Sequence, residues 1–353
     1  MTIRATFFMP PEGHPYRHGK IIMAWPGPNN TNYEKDQIAR IKNDLTAIAK
    51  AICHFQTVIL LVHSTEVPEA GRAFQYCGRY GVRIQATDVS DLEFWMRDVA
   101  PTFVISEGSS RSIPHGIDFN FNGWGGRYPS NNNTLLAKQF LAQRQIPRVE
   151  ASIVLEGGAL ETDGEGTLLA TKSSVLNPNR NPGVSRVTIE KELRRLLGVS
   201  RIIWLPGLKG YEVTDAHIDI WARFVAPGKV VLNKPRSDNE VLRAAYDANK
   251  RILSQATDAK GRHFELFDIQ EARLDGPIPS DSDLCLSYVN YVAVDGAIIA
   301  PQFGDEKADS MAKQTLRTLF PNREVVQVYL EEIILNGGGI HCVTQQILSH
   351  SEV

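Results

Sequence analysis

The stretch Val187-Thr188-Ile189-Glu190-Lys191-Glu192-Leu193-Arg194-Arg195-Leu196-Leu197-Gly198 runs into Arg201-Ile202-Ile203-Trp204-Leu205, then into His217-Ile218-Asp219, then into Val230-Val231-Leu232. The first part reads as a helix closing on Gly198, a residue suited to the position just past a helix end. The second is a short apolar run of strand length. A histidine and an aspartate follow, and a second apolar run comes after them. One unit therefore reads helix, strand, polar motif, strand.

The same order recurs along the chain. A helix over 67–80, stopped by Gly81, leads to a strand over 82–86, then Trp95-Met96-Arg97-Asp98 and a strand over 102–105. A helix over 134–142, with Asn133 as N-cap, leads to a strand over 152–155, then Glu156-Gly157-Gly158 and a strand over 168–171. Residues 240–253 and 264–267 precede Ser287-Tyr288-Val289-Asn290 and a strand over 297–300. Residues 309–319 and 325–329 precede Asn336-Gly337-Gly338-Gly339-Ile340-His341-Cys342. Ahead of all these lie a strand over 20–26, a polar loop over 27–32 and a strand over 57–62. Between the loop and the second strand, Ile38, Ile41, Leu45, Ile48 and Ile52 share one face of a helix.

The motifs lie roughly 50 to 75 residues apart, too irregular for a tight solenoid but suited to a few large blades around an axis. Such a ring would point one polar motif per blade at its centre. A doubly wound parallel sheet also alternates helix and strand. It leaves unexplained why the polar residues arrive at the same place in each unit. No composition break marks a linker, so the expectation is one α/β domain over residues 1–353.

Composition narrows the function classes. A net charge of −2 with no basic run argues against nucleic-acid binding. No apolar run approaches membrane-spanning length, and the N-terminus lacks the apolar core of a signal peptide. Cys53, Cys77, Cys285 and Cys342 are scattered without a CxxC pair, which suits a reduced, cytoplasmic chain without a zinc site.

The polar motifs supply a thiol (Cys342), an imidazole (His217) and three carboxylates (Asp98, Glu156, Asp219). The triple glycine before Cys342 can hold that thiol out into a cleft. Unpaired buried carboxylates are costly, so this set asks for a cationic substrate. A planar guanidinium matches carboxylates with a fork of N–H donors. A thiolate beside a bound cation becomes nucleophilic, and an imidazole can protonate a leaving amine and then activate water. Each residue also has a plainer role. Asp98 could pair with Arg97, Glu156 could cap a turn, and His217 and Asp219 would share one face of a strand. His341 would point away from its neighbour Cys342 and be structural. A Cys-His protease would not need three carboxylates. A metal hydrolase using His217, Asp219 and Asp98 would lack a paired-histidine helix, and no glycine group forms a nucleotide loop.

At these motifs the chain resembles the agmatine deiminase family, which includes bacterial peptidylarginine deiminases. The resemblance rests on Trp95–Asp98, on Asp118-Phe119-Asn120-Phe121-Asn122-Gly123-Trp124-Gly125-Gly126 and on Leu155-Glu156-Gly157-Gly158. It continues through Asp163-Gly164-Glu165-Gly166-Thr167, Leu176-Asn177-Pro178-Asn179-Arg180-Asn181-Pro182 and His217-Ile218-Asp219. It ends with Pro301-Gln302-Phe303-Gly304-Asp305-Glu306 and Ile340-His341-Cys342-Val343-Thr344-Gln345-Gln346.

The resemblance implies a five-bladed α/β propeller with ββαβ-type blades around a central active site. It implies hydrolysis of a guanidine to a urea and ammonia, with agmatine as substrate and N-carbamoylputrescine as product. Cys342 would form a covalent amidino-thioether, and His217 would be the general acid and base. Asp98 and Asp219 would hold the guanidinium, supported by Glu156. Trp95, Trp124 and Gly339 would line the substrate site. It implies no metal or organic cofactor, and a homo-oligomer, dimer or larger. Arginine, a C-terminal peptidyl-arginine or another guanidine are alternative substrates. Amidino transfer is an alternative reaction, and a non-catalytic binding ring a third reading. The family's acidic and aromatic loop after the first strand is here Trp25-Pro26-Gly27-Pro28-Asn29-Asn30-Thr31-Asn32-Tyr33, and the glycine before the histidine is Ala216. The aspartate before the Trp motif is replaced, with Glu93 two residues ahead of Trp95. These departures touch the mouth of the site. Arg127 could meet a substrate carboxylate there, against the plainer reading of a solvated surface arginine.

Overall fold

Pairing in the computed structural model divides the strands among five separate sheets. It describes residues 6–13, 19–107, 113–128, 132–236, 238–274 and 283–348. The 1–353 domain expectation and the reading of the first ten residues therefore extend beyond the described residues. The chain is α/β.

Each sheet is built alike. A strand pairs antiparallel with the next strand, a helix crosses over, and a third strand returns parallel to the second. In one sheet, Ala222–Ala226 pairs antiparallel with Lys229–Lys234, and helix Glu240–Gln255 leads to the parallel strand Glu265–Gln270. Another runs Val292–Val294, Ala297–Gln302, helix Glu306–Leu319, Glu324–Tyr329. A third runs Glu161–Thr162, Thr167–Thr171, helix Arg186–Leu197, Arg201–Leu205. A fourth runs Thr102–Glu107, Ile113–Asp118, helix Leu136–Gln143, Arg148–Glu150, with Thr6–Phe8 added at its edge.

The remaining sheet joins the two ends of the chain. The late strand Gln345–Ile347 pairs antiparallel with Lys20–Ala24, which continues through helix Lys35–Ile52 to Thr57–His63 and Val82–Thr87. A parallel return needs a long crossover, and the helices supply it. Helix faces supply the core between sheet and helix: Ile41, Leu45, Ile48 and Ile52 are buried, as their spacing requires.

Some sequence expectations are corrected. Residues 152–155 form no strand, because their backbone bonds elsewhere: Val154 exchanges two hydrogen bonds with the Asn181 amide, and Ser152 N–H donates to Glu192. The helix expected over 67–80 is Val67–Ala73. Asn133 does not cap the next helix; its side chain accepts from Glu93 N–H and donates to Asp91 C=O.

Candidate active site

Five polar motifs lie just ahead of the antiparallel strand that opens each sheet. Asp98 sits in the single turn Met96–Val99, before Thr102–Glu107. Glu156 precedes the turn Gly157–Ala159, before Glu161–Thr162. His217 and Asp219 precede Ala222–Ala226. Asn290 precedes Val292–Val294, and Cys342 precedes Gln345–Ile347. His217 and Asp219 do not share a strand face: His217 leads into a 3₁₀ turn, Ile218–Ile220, that contains Asp219. Just upstream, Asp215 and Ala216 hold φ of 63° and 69°, unusual for residues with a Cβ. Buried Arg180 holds that loop through Asp215 at 2.6 Å, and Glu212 accepts from Thr214 and Ala216 N–H groups.

These elements converge on a cavity lined by Trp95, Asp98, Trp124, His217, Asp219 and Cys342. Tyr33, Tyr128, Val213, Asp283 and Gly337 complete much of its wall. Trp124 Nε1 donates to Asp98 Oδ2 at 2.9 Å, and Gly158 N–H donates to Oδ1 at 3.0 Å. His217 Nδ1 lies 3.6 Å from Asp98 Oδ1, and its Nε2 lies 3.2 Å from Glu156 Oε2. Glu156 is wholly buried behind His217, where Arg180 Nε donates to it at 3.0 Å. Cys342 Sγ is 3.6 Å from Asp219 Oδ2. The other oxygen, Asp219 Oδ1, is buried and has no hydrogen-bond partner among the described residues.

Asn290 received no role from the sequence beyond its place in a motif. Its amide meets Cys342 Sγ at 3.2 Å, accepts from His341 N–H at 3.0 Å and donates to Asp219 C=O at 3.3 Å. The register of Ser287–Asn290 with the other motifs was the signal available. Gly339 is packed against Asn290 rather than set on the cavity wall; a Cβ there would come 2.7 Å from Asn290 Oδ1. Gly337 lines the wall instead. Arg97 does not pair with Asp98 but donates to Gln346, to His341 C=O and to Glu12. Arg127 is exposed, as the plainer reading has it, and donates to Glu212 C=O, Val213 C=O and Asp215. The altered loop is tied to Glu93, whose carboxyl accepts from Asn30 and Asn32. Tyr33 at its end accepts from Trp95 Nε1 at 2.8 Å.

Burial drives the electrostatics. It pushes the Cys342 thiol well above its ordinary value, and the Asp219 and Asp98 carboxylates push it further. Burial alone would lower His217, but Asp98, Glu156 and Asp219 outweigh it and raise the imidazole to about 9. Burial raises Asp98, with His217 opposing. For Glu156 burial is outweighed by His217 and Arg180, and for Asp219 by His341, His217 and Arg223, so both carboxyls lie below their ordinary range. The site at neutral pH is a thiol, an imidazolium and an excess of carboxylate.

A sequence model of the Porphyromonas-type peptidyl-arginine deiminase family matches residues 8–347. The chain belongs to this family. The match takes in every residue of the cavity described above. Among curated members, the agmatine deiminase of Medicago truncatula is 35% identical over 368 residues, covering 96% of each chain. That of Pseudomonas aeruginosa (strain UCBPP-PA14) is 37% identical over 366 residues, covering 96% of this chain and 95% of the relative. The solved agmatine deiminase of Enterococcus faecalis superposes with a TM-score of 0.85 at 28% identity, covering 98% of both chains.

Proposed function

We propose that this deiminase-family chain hydrolyses agmatine to N-carbamoylputrescine and ammonia. It is then a hydrolase of C–N bonds in linear amidines, and the observation that carries the reading is Asp219 Oδ1. Asp219 Oδ1 is buried without a donor among the described residues, while Oδ2 of the same carboxylate lies beside the Cys342 thiol, and a guanidinium N–H is the donor that Oδ1 calls for. Asp98 takes the opposite side of the guanidinium. The guanidinium's charge lowers the thiol's proton affinity, Cys342 gives its proton to solvent, and the thiolate attacks the guanidine carbon. His217 gives its proton to the departing nitrogen, and ammonia leaves an amidino-thioether on Cys342. The neutral imidazole, backed by Glu156, then takes a proton from water. The hydroxide attacks the same carbon, the C–S bond breaks as the new hydroxyl gives its proton to the departing sulfur, and the urea leaves with the thiol restored.

Two features favour agmatine over arginine. No Lys or Arg lines the cavity among the described residues, so no guanidinium or ammonium there meets a substrate carboxylate. Asp283 on the wall offers an anion to a distal ammonium. We read the five sheets as blades of one propeller domain, supported by their common strand–strand–helix–strand order and by pairing of the late strand Gln345–Ile347 with Lys20–Ala24. Site residues ahead of each opening strand fit an axis through the cavity. We place the enzyme in the cytoplasm as a homo-oligomer. Among the described residues no helix is long and apolar enough to cross a membrane.

Ammonia release from agmatine, arginine, a peptide ending in arginine and short guanidino acids tests the reading, with Cys342→Ala as control. Agmatine is expected to lead by kcat/KM, with the control folded and silent. Full activity of Cys342→Ala would remove the covalent mechanism, and a preference for arginine would overturn the reading of the wall.

A further inference from the structure

Glu12 follows the edge strand Thr6–Phe8, and its side chain, 8% exposed, reaches residues of several other sheets. Its Oε2 accepts from His341 Nε2 at 2.7 Å, Arg223 Nη2 at 2.9 Å and Arg97 Nη2 at 3.3 Å. Its Oε1 accepts from Ala293 N–H at 2.7 Å. One carboxylate thus ties together residues at the openings of four sheets. On the far side of the imidazole, His341 Nδ1 lies 2.7 Å from Asp219 Oδ2, the oxygen that faces the Cys342 sulfur.

A neutral imidazole has one N–H and one bare nitrogen, and an ionised carboxylate cannot donate. Burial would raise the Glu12 carboxyl, but Arg223, His341 and Arg97 hold it far below its ordinary range. Asp219 is likewise held low. With carboxylate oxygens 2.7 Å from both ring nitrogens, each position of the His341 ring calls for an N–H.

We propose that Glu12 and His341 are positioning residues for the reaction: Glu12 keeps His341 doubly protonated, and that ring fixes Asp219 Oδ2 so that Oδ1 is left aimed at the guanidinium. The inference rests on Asp219 as the guanidinium acceptor, as read above. Removing the Glu12 charge lets His341 become neutral. Asp219 then loses one counter-charge while keeping the others that face it, His217, Arg223 and Arg97, with Asp98, Cys342 and Cys285 opposing. Around Glu12, Arg223 remains paired with Glu161 at 2.7 Å and stacked over Tyr291, and Arg97 remains bonded to Gln346.

Glu12→Gln removes the charge and keeps the shape. Its acid limb of kcat/KM for agmatine is expected to move up by about one pH unit, the usual effect of an opposite charge at this range. Glu12→Asp, which restores the charge, is expected to return the limb toward wild type. A folded Glu12→Gln enzyme with the wild-type pH profile would overturn the proposal. Should that variant not fold, the ¹⁵N shifts of His341 in the wild-type enzyme decide, assigned by their loss in His341→Gln. An imidazolium pattern at the pH of turnover supports the clamp, and a neutral tautomer overturns it. If wild type turns over no guanidine at all, the functional reading fails, while the same ¹⁵N shifts still settle the clamp.

Discussion

Gly158 stands where two working side chains nearly touch. A Cβ at this position would lie 2.7 Å from His217 Nδ1, 2.8 Å from Asp98 Oδ1 and 3.3 Å from Asp219 Oδ2. Ordinary contact begins at 3.4 Å, so both His217 and Asp98 would have to yield by more than half an ångström. Neither has room. His217 is backed by Glu156, which Arg180 holds in turn. Asp98 is held by Trp124 and by the Gly158 N–H itself. Overpacking of this kind costs about 1–3 kcal/mol. Borne by the transition state, that is a rate loss of roughly 5- to 160-fold. The backbone at Gly158 is not in the left-handed region, so Gly158→Ala tests space rather than φ. The assay is initial ammonia release from agmatine beside a thermal melt. Gly71→Ala serves as the control, because a Cβ there meets nothing within 4 Å inside helix Val67–Ala73 and alanine is favoured there by about 1 kcal/mol. The expected result is a fall in kcat within the stated range for Gly158→Ala and none for Gly71→Ala. Wild-type kcat and melting temperature in Gly158→Ala would refute the reasoning.

Arg180→Met leaves Glu156 and Asp215 buried without their shared cation, and is expected to lose about 3–5 kcal/mol of stability by urea denaturation. An unchanged midpoint would show that the two pairs contribute nothing. With His217 raised to about 9, kcat/KM for agmatine should hold through neutral pH and fall above about pH 9 as the imidazolium is lost. The same shift is a stability statement: the contribution is fully present below 6.5 and is lost as pH rises through about 9. A profile that declines from pH 7 would contradict it.

The grouping of the polar motifs was legible because they stand in register, one ahead of each opening strand. Apolar spacing was equally plain for helix Lys35–Ile52, whose buried face needs only local periodicity. What could not be read depends on contacts far apart in the chain. Glu12 meets His341 across 329 positions, and no local pattern marks an acid near the N-terminus as part of the centre. Asn290 sat in a recognised motif, but an amide gains a role only once a sulfur stands beside it. His341 was read as pointing away from the site on the premise of an extended backbone. The chain turns through residues 341–343 instead, so the imidazole faces Asp219 while the thiol lines the cavity. Residues 152–155 look like a strand in composition and are not one, because side chains of Asn181 and Glu192 take their backbone bonds.

The excess of carboxylate has a further consequence. In the free enzyme the same anions that await a cation push the Cys342 thiol up, so the sulfur stays protonated and poorly nucleophilic. In the proposed reaction a guanidinium between Asp98 and Asp219 would reverse the local field, and the thiol would lose its proton only when there is something to attack. The urea group formed is neutral, so the interaction that would draw the substrate in is gone once water has displaced the sulfur. One set of charges therefore binds the substrate, delays the nucleophile and releases the product. That economy would explain why a buried site retains a carboxylate oxygen with no partner among the described residues, which packing alone would select against.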